Sequence, residues 1–563
     1  MATILEPTMA KKTEVTSSKK PAWFWLTVAV IIFLTAFTRL FELGKIPTGL
    51  GWDEAAIGYN GYAILTKRRD EWLVRLPLSF RSFGDYKAPL AIYVNGPFTM
   101  MFGSNAWAVR LPFALMGILA APFLMWMVLQ LWPEEEEKTA FPVLSSSMAA
   151  LVAGIFLLTS PWHMQFSRIA FESGLALTFL IAGTAFYLAM IQQMAFQNTK
   201  KQVFALCFAV FSILCFAASM YAYHSAKVVV PAVWVLLAWF CWSSWKRVFP
   251  QLMLLTAVLS LLLLPLGKDF LYGNGGTRLT QASILSRDGS IVEKGTILLQ
   301  NTWAQFQPSY LVGGETSTLR HGDGQWGILF PSTFLLVLAS LLLWPITRPG
   351  RKLTRLTLFA VGWTIVGTLP AVIGQDVPHS NRAFLALPGF VLLTLLGWQQ
   401  LVLWLHQLPL NQKLSGSKLE SDLLPKAVIG TMFLLHSFFV CSYLHHYFGT
   451  YAAESADAFQ SGYVEAMEYV KLHENEVDKV IMTSSYQHPY IYVLFAKKVN
   501  PIAYQGGILG KYEFNDQINA SFLLRPKTLI VATPLEIDPE KADTIIRDPA
   551  GKPRFVIVKT GEK

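Results

Sequence analysis

Two adjacent carboxylates, Asp53-Glu54, follow closely on an apolar run from Pro21 to Phe41. Three more groups of ionisable residues stand between or beside apolar runs. They are Asp85-Tyr86-Lys87, then His163, Arg168 and Glu172, then Arg320-His321 with Asp323. Tyr221-Ala222-Tyr223-His224 and His379-Ser380-Asn381-Arg382 also stand at the ends of apolar runs. Taken singly, such residues read as anchors, because Trp, Tyr, Lys and Arg favour headgroup depth for ordinary reasons. Together they offer acids on one side and Lys, Arg and His on the other. A carboxylate can take a proton from a hydroxyl, and cations can hold a phosphate on which negative charge is building. The set suits a substrate with a phosphate and a hydroxyl to activate. Charge at membrane depth is costly and is kept mainly for function.

The elements that must position these groups are membrane helices. The chain has 563 residues, of which 53% are hydrophobic and only 15% charged. Soluble domains carry about 25% charge. Apolar runs of about 18 residues or more mark spanning helices. They predict eleven spans, near 21-41, 107-131, 142-159, 169-192, 202-220, 226-244, 248-266, 326-345, 356-374, 383-404 and 425-446. The fold class is an α-helical polytopic membrane protein. Its net charge of +10 gathers at short turns between spans, so nucleic acid is not an expected partner. Lys11, Lys12, Lys19, Lys20, Lys200-Lys201, Lys246-Arg247, Arg348 to Lys352, Lys413 and Lys418 then share the cytoplasmic side. The acidic turn Glu134 to Glu137 falls there too. The outer side receives the loop 42-106, the loop around Ser160 to Glu172, the loop 267-325 and everything after Tyr447. Ala88 to Phe102 is too short to cross and contains Asn95-Gly96-Pro97, so it reads as an interfacial helix.

Residues 1-20 read as a disordered cytoplasmic tail, 21-447 as the membrane domain, and 448-563 as a small α/β extracytoplasmic domain. In the last, Ser455 to Lys471 reads as a helix and 480-483, 528-531 and 555-558 as strands. It carries no Gly-rich phosphate loop. The stretch 405-424 reads as a cytoplasmic linker. The four cysteines, Cys207, Cys215, Cys241 and Cys441, lie in or at the ends of apolar runs and read as buried thiols.

Several motifs stand in a fixed order: Trp52-Asp53-Glu54, Tyr86-Lys87-Ala88-Pro89-Leu90, and Phe102-Gly103 leading to Ala108-Val109-Arg110-Leu111-Pro112. This order resembles the polyprenyl-phosphate-dependent glycosyltransferases of the GT-C fold, above all the protein O-mannosyltransferases and lipid A aminoarabinose transferases. Ser160-Pro161-Trp162-His163 through Arg168 and Glu172 resembles that family's second outer loop. The resemblance covers roughly residues 20-450. It departs at Ala88, where the family has a second proline, and at Glu172, where aspartate is usual.

The resemblance implies an inverting transfer of a sugar from a polyprenyl-phosphate carrier to an acceptor hydroxyl. Asp53 would be the general base, with Glu54 orienting the acceptor. Asp85, Tyr86, Lys87, Arg168, Glu172, His321 and Arg382 would line the substrate site, the cations among them holding the leaving phosphate. The resemblance implies no definite cofactor and leaves a divalent metal open, which would sit at Asp85 and His321. The acceptor is left open between protein, lipid and glycan. The expected location is the plasma (inner) membrane, with the site facing outward. A lipid or polysaccharide transporter and a glycan-chain ligase are the rival readings; no second copy of the Asp-Glu loop favours the transporter.

Overall fold

The computed structural model describes residues 20-133, 144-194, 199-315, 317-408, 423-506 and 509-562. The N-terminal tail up to residue 19, the turn Glu134 to Glu137 and the linker with Lys413 and Lys418 lie outside them.

The chain begins with α1 (Ala22–Leu40), followed by a loop and α2 (Trp52–Lys67), which carries the acid pair in its first turn. A hairpin of β1 (Phe80–Ser82) and β2 (Asp85–Lys87) leads into α3 (Pro89–Phe102). Its two-residue turn, Phe83-Gly84, has φ of 52° and 81°, the paired left-handed geometry whose twist suits adjoining strands. Then come α4 (Ala106–Leu131), α5 (Ser146–Thr159), α6 (Pro161–Arg168), α7 (Glu172–Met194), α8 (Thr199–Ala222), α9 (Ala226–Phe240) and α10 (Trp242–Tyr272). Further long helices are Arg351–Val372, Leu387–Gln407 and Leu423–Gly449.

Each of the eleven predicted windows contains a helix, but the count of eleven spans is not confirmed. Among the described residues, eight helices are long and apolar enough to cross, or nine if the bent pair α5–α6 is one span. Ala226–Phe240 and Pro331–Leu342 are apolar but short. The bend of 59° between α5 and α6 has a local cause. Pro161 has no N–H to continue α5, and the Ser160 hydroxyl caps the new helix by accepting from His163 N (3.2 Å). The carbonyls left over at the end of α5, Leu157 and Leu158, accept from the buried Arg39 guanidinium at 3.1 and 2.8 Å.

The 88-102 segment is the single helix α3, lying across α2. The two backbones meet at Gly61 and Gly96, where a Cβ on Gly96 would come within 2.6 Å of the Gly61 carbonyl oxygen.

After Gly449 the chain forms a five-stranded sheet of β3 (Lys479–Thr483), β4 (Tyr512–Asn515), β5 (Thr528–Ala532), β6 (Thr544–Arg547) and β7 (Pro553–Lys559). The order is β4-β3-β5-β7-β6, with β3 parallel to both β4 and β5 and the remaining pairs antiparallel. The expected helix from Ser455 starts only at Tyr463. Gly462, at φ 101°, breaks the pattern, and a side chain there would meet Phe555 and Arg554.

This domain grips α2. Gly58 is backed by the Phe495 ring, the Tyr59 hydroxyl donates to the Val499 carbonyl (2.9 Å), and the Tyr492 hydroxyl donates to the Leu50 carbonyl (2.8 Å). Trp52 N donates to Gln460 Oε1 (3.2 Å). Tyr492 in turn stacks on Tyr463 at 4.1 Å, and Tyr463 packs on Phe555 of β7.

Candidate active site

Asp53 is the second residue of α2, where the positive end of the helix dipole favours a carboxylate. Its Oδ1 accepts from Lys87 Nζ at 2.5 Å and its Oδ2 accepts from Arg320 Nη2. Lys87 comes from β2 and Arg320 from the loop before Pro331–Leu342, so three distant segments converge on one carboxylate. The side chains are 21%, 9% and 16% exposed for Asp53, Lys87 and Arg320, a cluster that is shielded yet reachable. Burial alone would push the Asp53 carboxyl up. The charges of Lys87 and Arg320 outweigh it and hold the carboxyl well below the usual carboxylate range. The Arg320 guanidinium also lies over the rings of Trp52 and Phe171, at 5.1 and 5.3 Å.

Glu54 points the other way. Its Oε1 accepts from Arg110 Nε (2.8 Å) and Ala170 N (3.0 Å), and its Oε2 from Arg110 Nη2 (2.8 Å) and Gly51 N (3.1 Å). Arg110 also donates to the carbonyls of Pro47 and Gly49 at 2.7 and 2.8 Å. Both side chains are buried. Each Glu54 oxygen already holds two donors, and the pair ties the 43-54 loop to α4 and to the start of α7. Arg168 is likewise tied to backbone carbonyls. It is fully buried and donates to the carbonyls of Thr38 (2.7 Å) and Ile46 (2.9 Å), which staples the loop after α1.

Glu172 is buried at the start of α7 and makes no side-chain hydrogen bond or ion pair among the described residues. Asp85 accepts from Tyr86 N at 2.7 Å, and the Tyr86 carbonyl accepts from His224 Nε2 at 3.0 Å. Lys227 Nζ donates to His224 Nδ1 at 3.3 Å. These two residues and Arg382 line a largely apolar cleft with Phe270, Pro370 and Ile373.

The metal expectation also changes. The donor set among the described residues is Glu315, His321 and His379, whose ligand atoms lie within 4.8 Å of one another; Asp85 is not part of it. A carboxylate and two imidazoles suit a zinc-like cation. Glu315 Oε1 accepts from His321 Nδ1 at 2.7 Å, and its Oε2 accepts from Ser380 N and Oγ, both at 2.8 Å. Through it the loop bearing Arg320 is tied to the 379-383 turn.

No family model matches the sequence, and no curated protein matches it. Solved structures do. ArnT from Cupriavidus metallidurans in the apo state aligns over 96% of this chain and 99% of its own, at 13% identity and a TM-score of 0.50. The same protein bound to undecaprenyl phosphate aligns over the same shares at 14% identity and 0.50. The chain has the GT-C fold. An Archaeoglobus fulgidus oligosaccharyltransferase also aligns, at 12% identity and a TM-score of 0.47, over 86% of this chain and 63% of its own. With this fold and eight helices long and apolar enough to cross among the described residues, the chain is an integral membrane protein.

Within this GT-C chain, sequence reasoning missed Arg320 as the partner of Asp53, although it named the motif that contains it. It missed Arg110 as the partner of Glu54. A lone arginine in an apolar helix was the available signal.

Proposed function

We propose that the chain is an inverting glycosyltransferase that moves a sugar from a polyprenyl-phosphate carrier to an acceptor hydroxyl at the outer face of the membrane. The observation that carries this reading is the Asp53 carboxylate bridged by Lys87 and Arg320 in a GT-C fold. Two cations arranged around one carboxylate are also an anion site. A phosphate oxygen of the donor competes with Asp53 for them. The cleft carrying Lys227 and Arg382 suits the first isoprene units and the phosphate end of such a carrier, and the ArnT structure with undecaprenyl phosphate supports that class of ligand.

The competition gives a sequence of events. While Asp53 holds both cations it is a poor base, because its carboxyl sits too low to keep a proton. When the phosphate draws Lys87 and Arg320 toward itself, the Asp53 carboxyl rises toward a usable range. Asp53 then takes the proton of the acceptor hydroxyl, whose oxygen forms the new bond to the anomeric carbon. The bond from that carbon to the phosphate oxygen breaks, and the electron pair leaves with the carrier phosphate. Lys87 and Arg320 stabilise that charge, a contribution typically of ~10²–10³ in rate per donor. Glu54 and Arg110 hold the end of α2 so that Asp53 stays aimed.

The test is transfer from a synthetic polyprenyl-phospho-sugar by the purified chain in detergent, with product stereochemistry read by NMR. Inverted product supports the reading; retained configuration or no transfer from any such donor overturns it.

A further inference from the structure

His488 lies in the C-terminal domain, yet its ring packs against two residues of the catalytic region. Its centroid is 5.4 Å from Trp52 and 4.3 Å from Phe83. Trp52 directly precedes Asp53, and its ring carries the Arg320 guanidinium. One indole thus separates His488 from the cation pair. The imidazole is half-buried, and neither ring nitrogen has a hydrogen-bond partner among the described residues.

The backbone around it is sharply bent. Gln487 and His488 have φ of 65° and 49°, two consecutive non-glycine residues in the left-handed region. Such conformations are costly and gather at functional sites. The base of the loop is firm: Glu536 Oε1 accepts from Thr483 Oγ1 (2.9 Å) and Ser485 Oγ (3.1 Å), while its Oε2 accepts from Thr533 N (2.7 Å).

The topology makes an independent point. From β3 the chain goes to β4 on one side, then returns to β5 on the other, with all three strands parallel. In open α/β sheets ligands bind outside the carboxyl ends of the strands at such a reversal. The loop 484-488 leaves the carboxyl end of β3, and through His488 that end of the sheet meets Trp52 and Phe83.

We propose that His488 binds the acceptor, and that the C-terminal domain is the module that presents the acceptor hydroxyl to Asp53. The proposal rests on the glycosyltransferase reading. One imidazole nitrogen accepts from an acceptor hydroxyl and the other donates to a neighbouring oxygen, while Phe83 and Trp52 hold the imidazole beside the Asp53 cluster. Burial draws the His488 pKa below its usual value, against the opposing pull of Asp53, which keeps the imidazole neutral and able to accept.

The test uses the full-length purified chain, a radiolabelled synthetic polyprenyl-phospho-sugar, and membranes from a strain lacking the gene as the acceptor source. For His488→Ala the apparent KM for acceptor membranes rises about tenfold, the value of one lost hydrogen bond. His488→Gln recovers part of it. Undecaprenyl phosphate binding and the KM for the donor stay as in the wild type. An unchanged acceptor KM overturns the proposal, and so does an equal loss of carrier-lipid binding, which would mark His488 as structural. A wild type that transfers to no acceptor overturns the glycosyltransferase reading and the proposal with it, whereas an active wild type with an equally active His488→Ala overturns the proposal alone.

Discussion

Asp53 and Lys87, 34 residues apart in sequence, are joined by an ion pair of 2.5 Å. With Arg320 on the other oxygen, the carboxylate holds both cations for which, in the proposed mechanism, a donor phosphate competes. The two uses of the cations are exclusive, and this yields a prediction with opposite signs for binding and catalysis. Asp53→Asn lowers sugar transfer by ~10²–10⁴, the usual worth of a general base. It leaves binding of undecaprenyl phosphate equal or tighter, because the competitor for Lys87 and Arg320 is gone. Weaker binding in this variant would refute the competition.

Lys87→Ala and Arg320→Lys both reduce turnover, for different reasons. Loss of the Lys87 ammonium removes one phosphate donor and lowers both carrier binding and rate, the rate by ~10²–10³. Arg320→Lys keeps the charge but loses the planar group that lies over Trp52 and Phe171. It should behave as a partial loss of function, with altered tryptophan fluorescence as the independent sign that the stack has gone.

Glu54→Gln acts on stability rather than on chemistry. It leaves the Arg110 guanidinium buried with a neutral partner, and breaking a buried pair costs about 3–5 kcal/mol. The expected result is a lower melting temperature in detergent, with the surviving folded fraction retaining donor KM. A stable, inactive Glu54→Gln would instead return Glu54 to the chemistry.

Glu71 predicts a pH dependence. It is fully buried, Oε2 has no hydrogen-bond partner, and burial raises its carboxyl to about 8. A folded pKa above the unfolded value of 4.5 means that the folded state binds more protons between the two. Stability is therefore highest below about 4.5 and falls as pH rises toward about 8. Melting curves from pH 5 to 9 should show this slope in the wild type and lose it in Glu71→Gln. Parallel slopes in the two proteins would show that Glu71 does not titrate in this window.

The apolar runs located the helices, because a bilayer dictates length and composition together. Their ends were less legible. Pro161 with Ser160, and Gly462 at φ 101°, cut or bent elements that hydropathy alone runs together. Asp53 and Lys87 lay in short local motifs and could be read. Arg320 meets Asp53 across 267 residues, and nothing local pairs them. Adjacent helical residues point in different directions, so Asp53 and Glu54 were separable in principle; which of them faced inward depended on where Arg110 stood. In the C-terminal domain the apolar strands β3, β5 and β7 were visible, while the half-buried edge strands β4 and β6 were not. His488, one histidine in a polar loop, carried no signal at all.

The grip of the C-terminal domain on α2 has a consequence for biogenesis. The hydrogen bond from Tyr492 to the Leu50 carbonyl joins residues 442 positions apart. At ~5–20 residues per second, a ribosome needs roughly 20–90 s to travel between them. Throughout that interval the helix bearing Asp53 has emerged without the partners that fix its start. The start of α2 is therefore fixed only once the distal half of the chain has been threaded and folded, so the geometry around Asp53 waits on completed synthesis.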